Sequence, residues 1–356
     1  MDHMGVWTAA AASQSIQCGM RLLQTIACVC VILCGGGSAT AGESSATALR
    51  IVAFGDNEGV IARPGTDPAQ KNPVLPRLMQ ILQEEDQKRP IDLLLHTGDF
   101  VRFDPSPQLF LQMLGPFVSR FYPTTGGDQE FLHGKYWEFV RAVPHLRQAV
   151  LQRVAMDHNG YEAYYAVRHK GVHIISLYNP DNYGESGRNP EFVGYDLFHA
   201  DHPNRQQYRW LVERLEEIRG GPGKQELIIV LSHRPIYNRS RHLVELFDRY
   251  RVELVLSGDA HVYGRTRSRH TLYVITGIAG DQAVGGCDRV NARLADGFLK
   301  EYERCLPELG TLRRSGFSYY FDHYLDMRVE GRTLELKAVE IANGQVLDTV
   351  LHRSQD

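Results

Sequence analysis

Five apolar runs in this 356-residue chain end in side chains that bind cations or move protons. Asp56 and Glu58 follow "LRIVAF", Asp99 closes "IDLLLHTGD", and Asp128 stands in "FYPTTGGDQE". His233 ends "ELIIVLSH", and Asp259 and His261 end "VELVLSGDAH" with one small residue between them. Carboxylates are hard oxygen donors and a neutral imidazole offers one ring nitrogen, so together these groups suit a divalent or trivalent metal ion. One Gly-Asp turn carries no such meaning, because aspartate also caps helices and stabilises turns. Five strand ends in series exceed what capping explains. In open α/β folds, ligands gather where the carboxyl ends of strands converge.

The elements that must position these residues follow from periodicity. Buried-strand runs begin at 49, 91, 121, 226 and 252, and helical spacing of apolar residues marks 74–88, 204–220 and 242–250. Gly220 and Gly221 close the second of these helices. Alternation over 161–179 with Lys170-Gly171 in the middle predicts a hairpin. The end of the chain reads almost wholly as strand, with turns at Glu330-Gly331 and Asn343-Gly344. Strand and helix in alternation, then a strand-rich end, predict an α/β sandwich built on central sheets, with residues 42–356 as one domain. The polar stretch 180–203 has no periodicity, and loops of that length are usually functional or mobile.

A net charge of −3 gives no electrostatic case for nucleic acid or for an anionic membrane surface. The local run "GRTRSRH" (264–270) reads as a solvated loop or hairpin. From Met20 the chain carries one positive charge, an apolar stretch of signal-peptide length and small residues ending Ala39-Thr40-Ala41. That pattern predicts a secretory signal cleaved after Ala41, preceded by an upstream extension over 1–19, hence a periplasmic or secreted mature chain. The apolar stretch is short for a membrane span, so no transmembrane helix is expected in the mature chain. An uncleaved anchor is the alternative. A lipid attachment at Cys34 is disfavoured by Leu33, which stands where a small residue is wanted. Cleavage would leave Cys287 and Cys305, either as a disulfide or as two buried thiols.

The motif series "FGDNEG", "LLLHTGDF", "TTGGDQE", "VLSHRPIYN" and "LVLSGDAHVYGR" resembles the calcineurin-like metallophosphoesterase superfamily, most of all its purple-acid-phosphatase-type branch. The order of motifs is that of the family, the helix "QQYRWLVERLE" precedes the histidine strand, and "YVITGIAG" and "GFSYY" lie near the end; Tyr263 and Arg265 fit the last turn. The resemblance covers essentially all of the mature chain. It implies a four-layer α/β/β/α sandwich with two central mixed sheets, and hydrolysis of a phosphate ester at a binuclear metal site. The ester is carried by a small molecule or a polymer. Carried over by position, one ion takes Asp56, Asp99 and His261, with Glu58 as a further candidate. The other shares Asp99 and takes Asp128, His233 and Asp259.

The chain departs from that pattern at informative places. Glu58 or Asn57 stands where many members have a histidine, Asp128 replaces an asparagine, and Asp259 replaces the first histidine of the last motif. The tyrosine of the purple members falls at Arg102, so no tyrosinate colour is expected. Each lost neutral ligand in the metal set gives way to a carboxylate, still a competent oxygen donor. Five carboxylates in one pocket repel unless cations neutralise them, which predicts bound metal, and hard ions such as Mn, Mg, Ca or Fe rather than Zn. Arg102 and Arg234 are candidates to offset the excess charge, Arg234 also as a catalytic residue. Gln129 replaces the histidine near the leaving group; it can donate a hydrogen bond but not a proton, and general-acid help is typically worth about 10²–10⁴-fold. His133, His199 and His202 are substitutes only by chain position. A weak or inactive binding module that keeps the fold and binds a cation or a glycan-like ligand is the alternative reading. A metal-dependent hydrolase of a non-phosphate ester is a third.

Overall fold

A computed structural model of the chain describes residues 48–57, 74–100, 107–124, 143, 145, 164–178, 206–237, 240–259, 262–277, 317–319 and 322–353. In chain order the first elements are β1 (Leu49–Phe54), α1 (Val74–Lys88), β2 (Leu93–His96), α2 (Pro107–Leu114), a 3₁₀ turn over Gly115–Arg120, and β3 (Phe121–Pro123). Then come β4 (Tyr165–His169), β5 (Val172–Ser176), α3 (Gln206–Gly220), β6 (Leu227–Ser232), α4 (Arg241–Arg249) and β7 (Leu254–Ser257). The last are β8 (Tyr263–Arg267), β9 (Leu272–Thr276), β10 (Phe317–Tyr319), β11 (His323–Glu330), β12 (Thr333–Glu340) and β13 (Val346–Arg353).

The apolar runs are continuous because their strands are covered on both faces. Successive residues of β1 divide between two cores. Ile51 and Ala53 face a second sheet, while Val52 and Phe54 face α1 and α2. Strand β6 divides in the same way: Leu227, Ile229 and Leu231 join the core between the sheets, and Ile228 and Val230 pack under α3 and α4. The order of layers is therefore helix, sheet, sheet, helix, the α/β/β/α sandwich that the family resemblance implies. Emptying any one of these buried leucine or isoleucine sites would cost about 2–5 kcal/mol.

Both sheets are mixed. The first runs β13-β12-β11-β1-β2-β3, antiparallel up to β1 and parallel from β1 to β3. The second runs β10-β8-β9-β7-β6-β5-β4, with a parallel centre of β9, β7, β6 and β5. Parallel centres matter for function because they bring several strand carboxyl ends to one edge. At the other end of β1, Arg50 is 3% exposed and fixes the sheet to its helix. It forms a two-pronged bond to Asp326 on β11 (3.0 and 2.8 Å), reaches Glu85 (3.3 Å), and donates to the carbonyls of Glu85 and Arg89.

The helix over 74–88 and the hairpin at Lys170-Gly171 stand where the sequence puts them, both turn residues having positive φ (45° and 83°). The other two helices run 206–220 and 241–249. Residues 264–270, read as loop or hairpin, include β8 and the turn into β9. Strand β8 has no apolar alternation of its own and is a strand because β9 and β10 flank it. Helix α2 also escaped the sequence reading. The extension over 1–41, the loop 180–203, Cys287 and Cys305 lie outside the described residues. Among the described residues no helix is long and apolar enough to cross a membrane.

Candidate metal centre

Three side chains from three strand ends meet at this edge. Asp56 after β1, Asp99 after β2 and His233 after β6 each present one donor atom, and the three atoms lie within 4.8 Å of one another. All three residues are buried. His233 Nε2 is 3.4 Å from Asp99 Oδ1. Its Nδ1 lies 2.8 Å from the Thr97 carbonyl oxygen, which can only accept, so Nδ1 carries the proton and Nε2 faces the carboxylates. An imidazole held from behind by a carbonyl is the arrangement that orients a metal-ligating histidine.

The backbone is bent to deliver these groups. Asp56, Asp99 and Asp259 all adopt left-handed φ (49°, 55° and 64°), a region costly for residues other than glycine and best tolerated by aspartate and asparagine. Such conformations persist where surrounding bonds enforce them. The Asp56 amide donates to the Gly98 carbonyl (3.0 Å), and the Gly258 amide to the His233 carbonyl (2.7 Å). The Asp259 amide donates to both oxygens of Asp56 (3.0 and 3.2 Å), tying the second sheet to the first at the site. Close packing surrounds the Asp56 carboxylate. A Cβ on Gly277 would stand 2.1 Å from Asp56 Oδ2, and one on Gly258 would stand 2.5 Å from it.

Behind the triad lies a residue that the sequence reading quoted but gave no role. His96 is wholly buried among Phe54, Phe100, Phe110 and Phe121, its ring centroid 4.8–5.9 Å from theirs. Its Nδ1 accepts the Gly98 amide (3.0 Å), so its Nε2 donates to Asn57 Oδ1. Asn57 in turn donates to the Phe100 carbonyl (3.4 Å). This chain braces the Gly98-Asp99 turn from beneath. Burial is the main cause that pushes the His96 pKa down to about 3. A histidine ending an apolar strand just before Thr-Gly-Asp was the available signal. Thr97, whose hydroxyl donates to the Thr276 carbonyl (2.8 Å), gave none.

Electrostatics favour a cation at the triad. Burial works to lower the His233 pKa, yet Asp99, Asp56 and Asp259 together hold it well above the ordinary range. The carboxylates that favour a proton on this buried ring favour a cation in the same place. Two hard carboxylates and one oriented imidazole form a donor set that fits such an ion.

The remaining sequence-derived candidates divide sharply. Asp259 stands beside the triad rather than within the three-atom cluster: its Oδ1 is 3.9 Å from His233 Nε2 and 3.6 Å from Arg234 Nη2. Arg234 thus stands next to the Asp259 carboxylate. Asn57 is engaged with His96 and Phe100 rather than with the triad. Tyr263 and Arg265 both bond to Asp348 on β13, away from the three ligands. Glu58, Arg102, Asp128, Gln129, His133, His199, His202 and His261 lie outside the described residues.

The two-sheet sandwich and the donor triad at its strand ends are those of the metallophosphoesterase fold class. The calcineurin-like phosphoesterase family model matches residues 49–263, and the chain belongs to that family. No curated protein matches the sequence. The fold is similar to a purple acid phosphatase from yellow lupin (Lupinus luteus) seeds, with 14% identity and a TM-score of 0.56, covering 86% of this chain and 54% of that one. The chain therefore spans about half the length of the lupin protein. It is also similar to GAP50, the anchor in the inner membrane complex of Plasmodium, with 13% identity, a TM-score of 0.51, and 87% and 90% of the two chains covered.

Proposed function

We propose that this chain is an exported phosphoesterase that hydrolyses a phosphate ester, on a small molecule or a polymer, at a carboxylate-rich centre for two metal ions. The observation that carries this reading is the convergence of Asp56, Asp99 and His233 within 4.8 Å at the carboxyl ends of three strands. Asp56 and Asp99 would hold one ion, and Asp99, His233, Asp128 and Asp259 would hold the other. Glu58 and His261 complete the set by their place in the motifs. The donors are mostly hard oxygens, which supports Mn, Mg, Ca or Fe rather than Zn. Ions bound there would polarise the phosphoryl oxygens and lower the pKa of water at the site.

The chain's own groups do the rest. The Thr97 carbonyl keeps His233 in one tautomer. Arg234, within 3.6 Å of Asp259, sets a guanidinium at the rim, where its fork can take two phosphate oxygens. By its place in the motif, Gln129 could donate a hydrogen bond to the leaving oxygen but not a proton, so activated esters with good leaving groups would be the preferred substrates. Export is supported by the apolar stretch and small-residue motif ending at Ala41.

The test is hydrolysis of p-nitrophenyl phosphate and bis-p-nitrophenyl phosphate with each of the four ions, alongside elemental analysis of the native protein. Turnover with at least one ion is expected, and it should disappear in Asp99→Asn. Stoichiometric metal with no turnover on either ester would overturn the enzyme and leave the cation-binding module. Native protein free of metal would overturn the carboxylate-rich centre itself.

A further inference from the structure

Thr97 stands where the two sheets meet beside the metal centre, and it is wholly buried. Its three polar groups go to three different strand ends. The amide donates to the Phe54 carbonyl at the end of β1 (3.0 Å). The carbonyl accepts from His233 Nδ1 after β6 (2.8 Å), and the hydroxyl donates to the Thr276 carbonyl at the end of β9 (2.8 Å). Thr97 itself follows β2 of the first sheet, whereas β6 and β9 belong to the second and have β7 between them.

Close packing leaves this side chain one place to be. A Cβ on Gly55 would stand 1.8 Å from Thr97 Oγ1 and 3.1 Å from the Thr276 carbonyl oxygen. One on Gly258 would stand 2.9 Å from Thr97 Oγ1 and 3.1 Å from the Thr97 carbonyl oxygen. Gly55 precedes Asp56 and Gly258 precedes Asp259, so both carboxylate-bearing turns are bare on the side that meets Thr97. The bonded series also extends behind it. The Thr276 hydroxyl is hydrogen-bonded to Nε2 of buried His323 (3.0 Å), the first residue of β11. From His323 to Thr276, Thr97 and His233 the series therefore crosses between the sheets three times.

The hydroxyl and the carbonyl of Thr97 belong to one residue, so displacing the first displaces the second. Valine in this position would put a methyl carbon where the hydroxyl oxygen stands, 2.8 Å from the Thr276 oxygen. Carbon and oxygen settle at about 3.3–3.6 Å, so the residue must retreat by about 0.5 Å. The acceptor that holds the His233 ring retreats with it. A buried polar pair that loses one partner also leaves the other without its bond, which adds to the displacement.

We propose that Thr97 is a positioning residue of the metal centre: its hydroxyl, locked onto the Thr276 carbonyl, fixes the carbonyl that aims His233 at the carboxylates. The proposal rests on the reading of His233 as a metal ligand. The test compares the full chain with Thr97→Val, Thr97→Ser and Thr124→Val, first metal-free by magnetic resonance of nitrogen-labelled histidine, then by Mn titration. Thr124→Val is the control, because the Thr124 hydroxyl is also buried and also joins the sheets, donating to the Leu177 carbonyl (3.3 Å). In Thr97→Val the His233 Nδ1 proton should exchange with solvent at least about tenfold faster, the equivalent of one hydrogen bond. Mn affinity should fall by about 10–100-fold, the range for a lost support of a ligating histidine. Thr97→Ser keeps the hydroxyl and should restore both readouts, and Thr124→Val should leave both unchanged. Thr97→Ala removes the hydroxyl without the clash and replaces Thr97→Val if that variant folds poorly. Unchanged proton exchange in Thr97→Val would overturn the proposal, as would equal losses in Thr97→Ser or in Thr124→Val. Wild type that binds no Mn would overturn the metal centre instead, and the ring-proton exchange would still decide the role of Thr97.

Discussion

Gly277→Ala is the sharpest probe of the metal centre, because it replaces no ligand and adds one methyl group. In the wild type the new Cβ would lie 2.1 Å from Asp56 Oδ2, 3.0 Å from its Cγ and 3.1 Å from Gly258 Cα. Relief requires the carboxylate to retreat by about 1 Å, since non-bonded heavy atoms rest at about 3–4 Å. The Gly258 backbone blocks retreat of the methyl itself. Ligand positions in metal sites hold to about 0.2 Å, so a shift of this size removes Asp56 from the coordination set and strains the Asp259 amide bonded to it. The expected result is a loss of metal affinity of about 10–100-fold, the range seen when a ligand loses its support. Overpacking should lower stability by about 1–3 kcal/mol. Gly220→Ala is the control, for a Cβ there meets nothing within 4 Å. It should leave metal affinity unchanged. The assay is Mn titration followed by paramagnetic resonance or calorimetry, with urea unfolding of the same preparations in chelator. Wild-type affinity in Gly277→Ala would refute the claim that Asp56 is a metal ligand held by close packing.

Other expectations concern acid stability, a buried ion pair and the rim arginine. The folded pKa of His96, about 3, lies below its unfolded value of about 6.5, so on acidification the unfolded chain takes up the proton first. Stability contributed this way is intact above pH 6.5 and is lost as pH falls toward 3. Between pH 7 and pH 5 the loss from this group is about 2 kcal/mol. Urea unfolding of His96→Gln at both pH values should show that much less acid sensitivity, and an unchanged difference would dismiss the assignment. Arg50→Ala should destabilise by about 3 kcal/mol, because Asp326 and Glu85 are left facing each other without their cation. Chemical denaturation measures this, and a change below about 0.5 kcal/mol would show that solvent already compensates the carboxylates. Arg234→Gln should raise KM for p-nitrophenyl phosphate by about tenfold while metal content stays constant; an unaltered KM would remove Arg234 from the substrate's path.

The sequence by itself determined the alternation of strand and helix and the edge at which the candidate ligands gather. Runs such as "LRIVAF" and "LIIVLS" are apolar on both faces, which demands cover on both faces, and the intervening periodic segments can only be that cover. Because strand direction is written into such alternation, Asp56, Asp99, His233 and Asp259 were legible as strand-end residues at one edge. The long strands of the tail were legible too, through their Gly turns with positive φ (56° at Gly331, 75° at Gly344).

Only the tertiary structure decided which of those residues meet. Spacing along the chain placed Asp56 and Asp259 in separate motifs; folding bonds the amide of one to the carboxylate of the other across 203 residues. It also turned the Asp259 side chain toward Arg234 and gave His96 its bracing task, neither of which a one-dimensional pattern encodes. The basic run 264–270 makes the same point. Arg267 and Arg269 are unremarkable in sequence, and they line a cleft only because Arg251, in the turn before β7, and Arg353, at the end of β13, come beside them. Local periodicity reports what each segment must bury, whereas the distances that set charge, coordination and pKa are made between segments far apart in the chain.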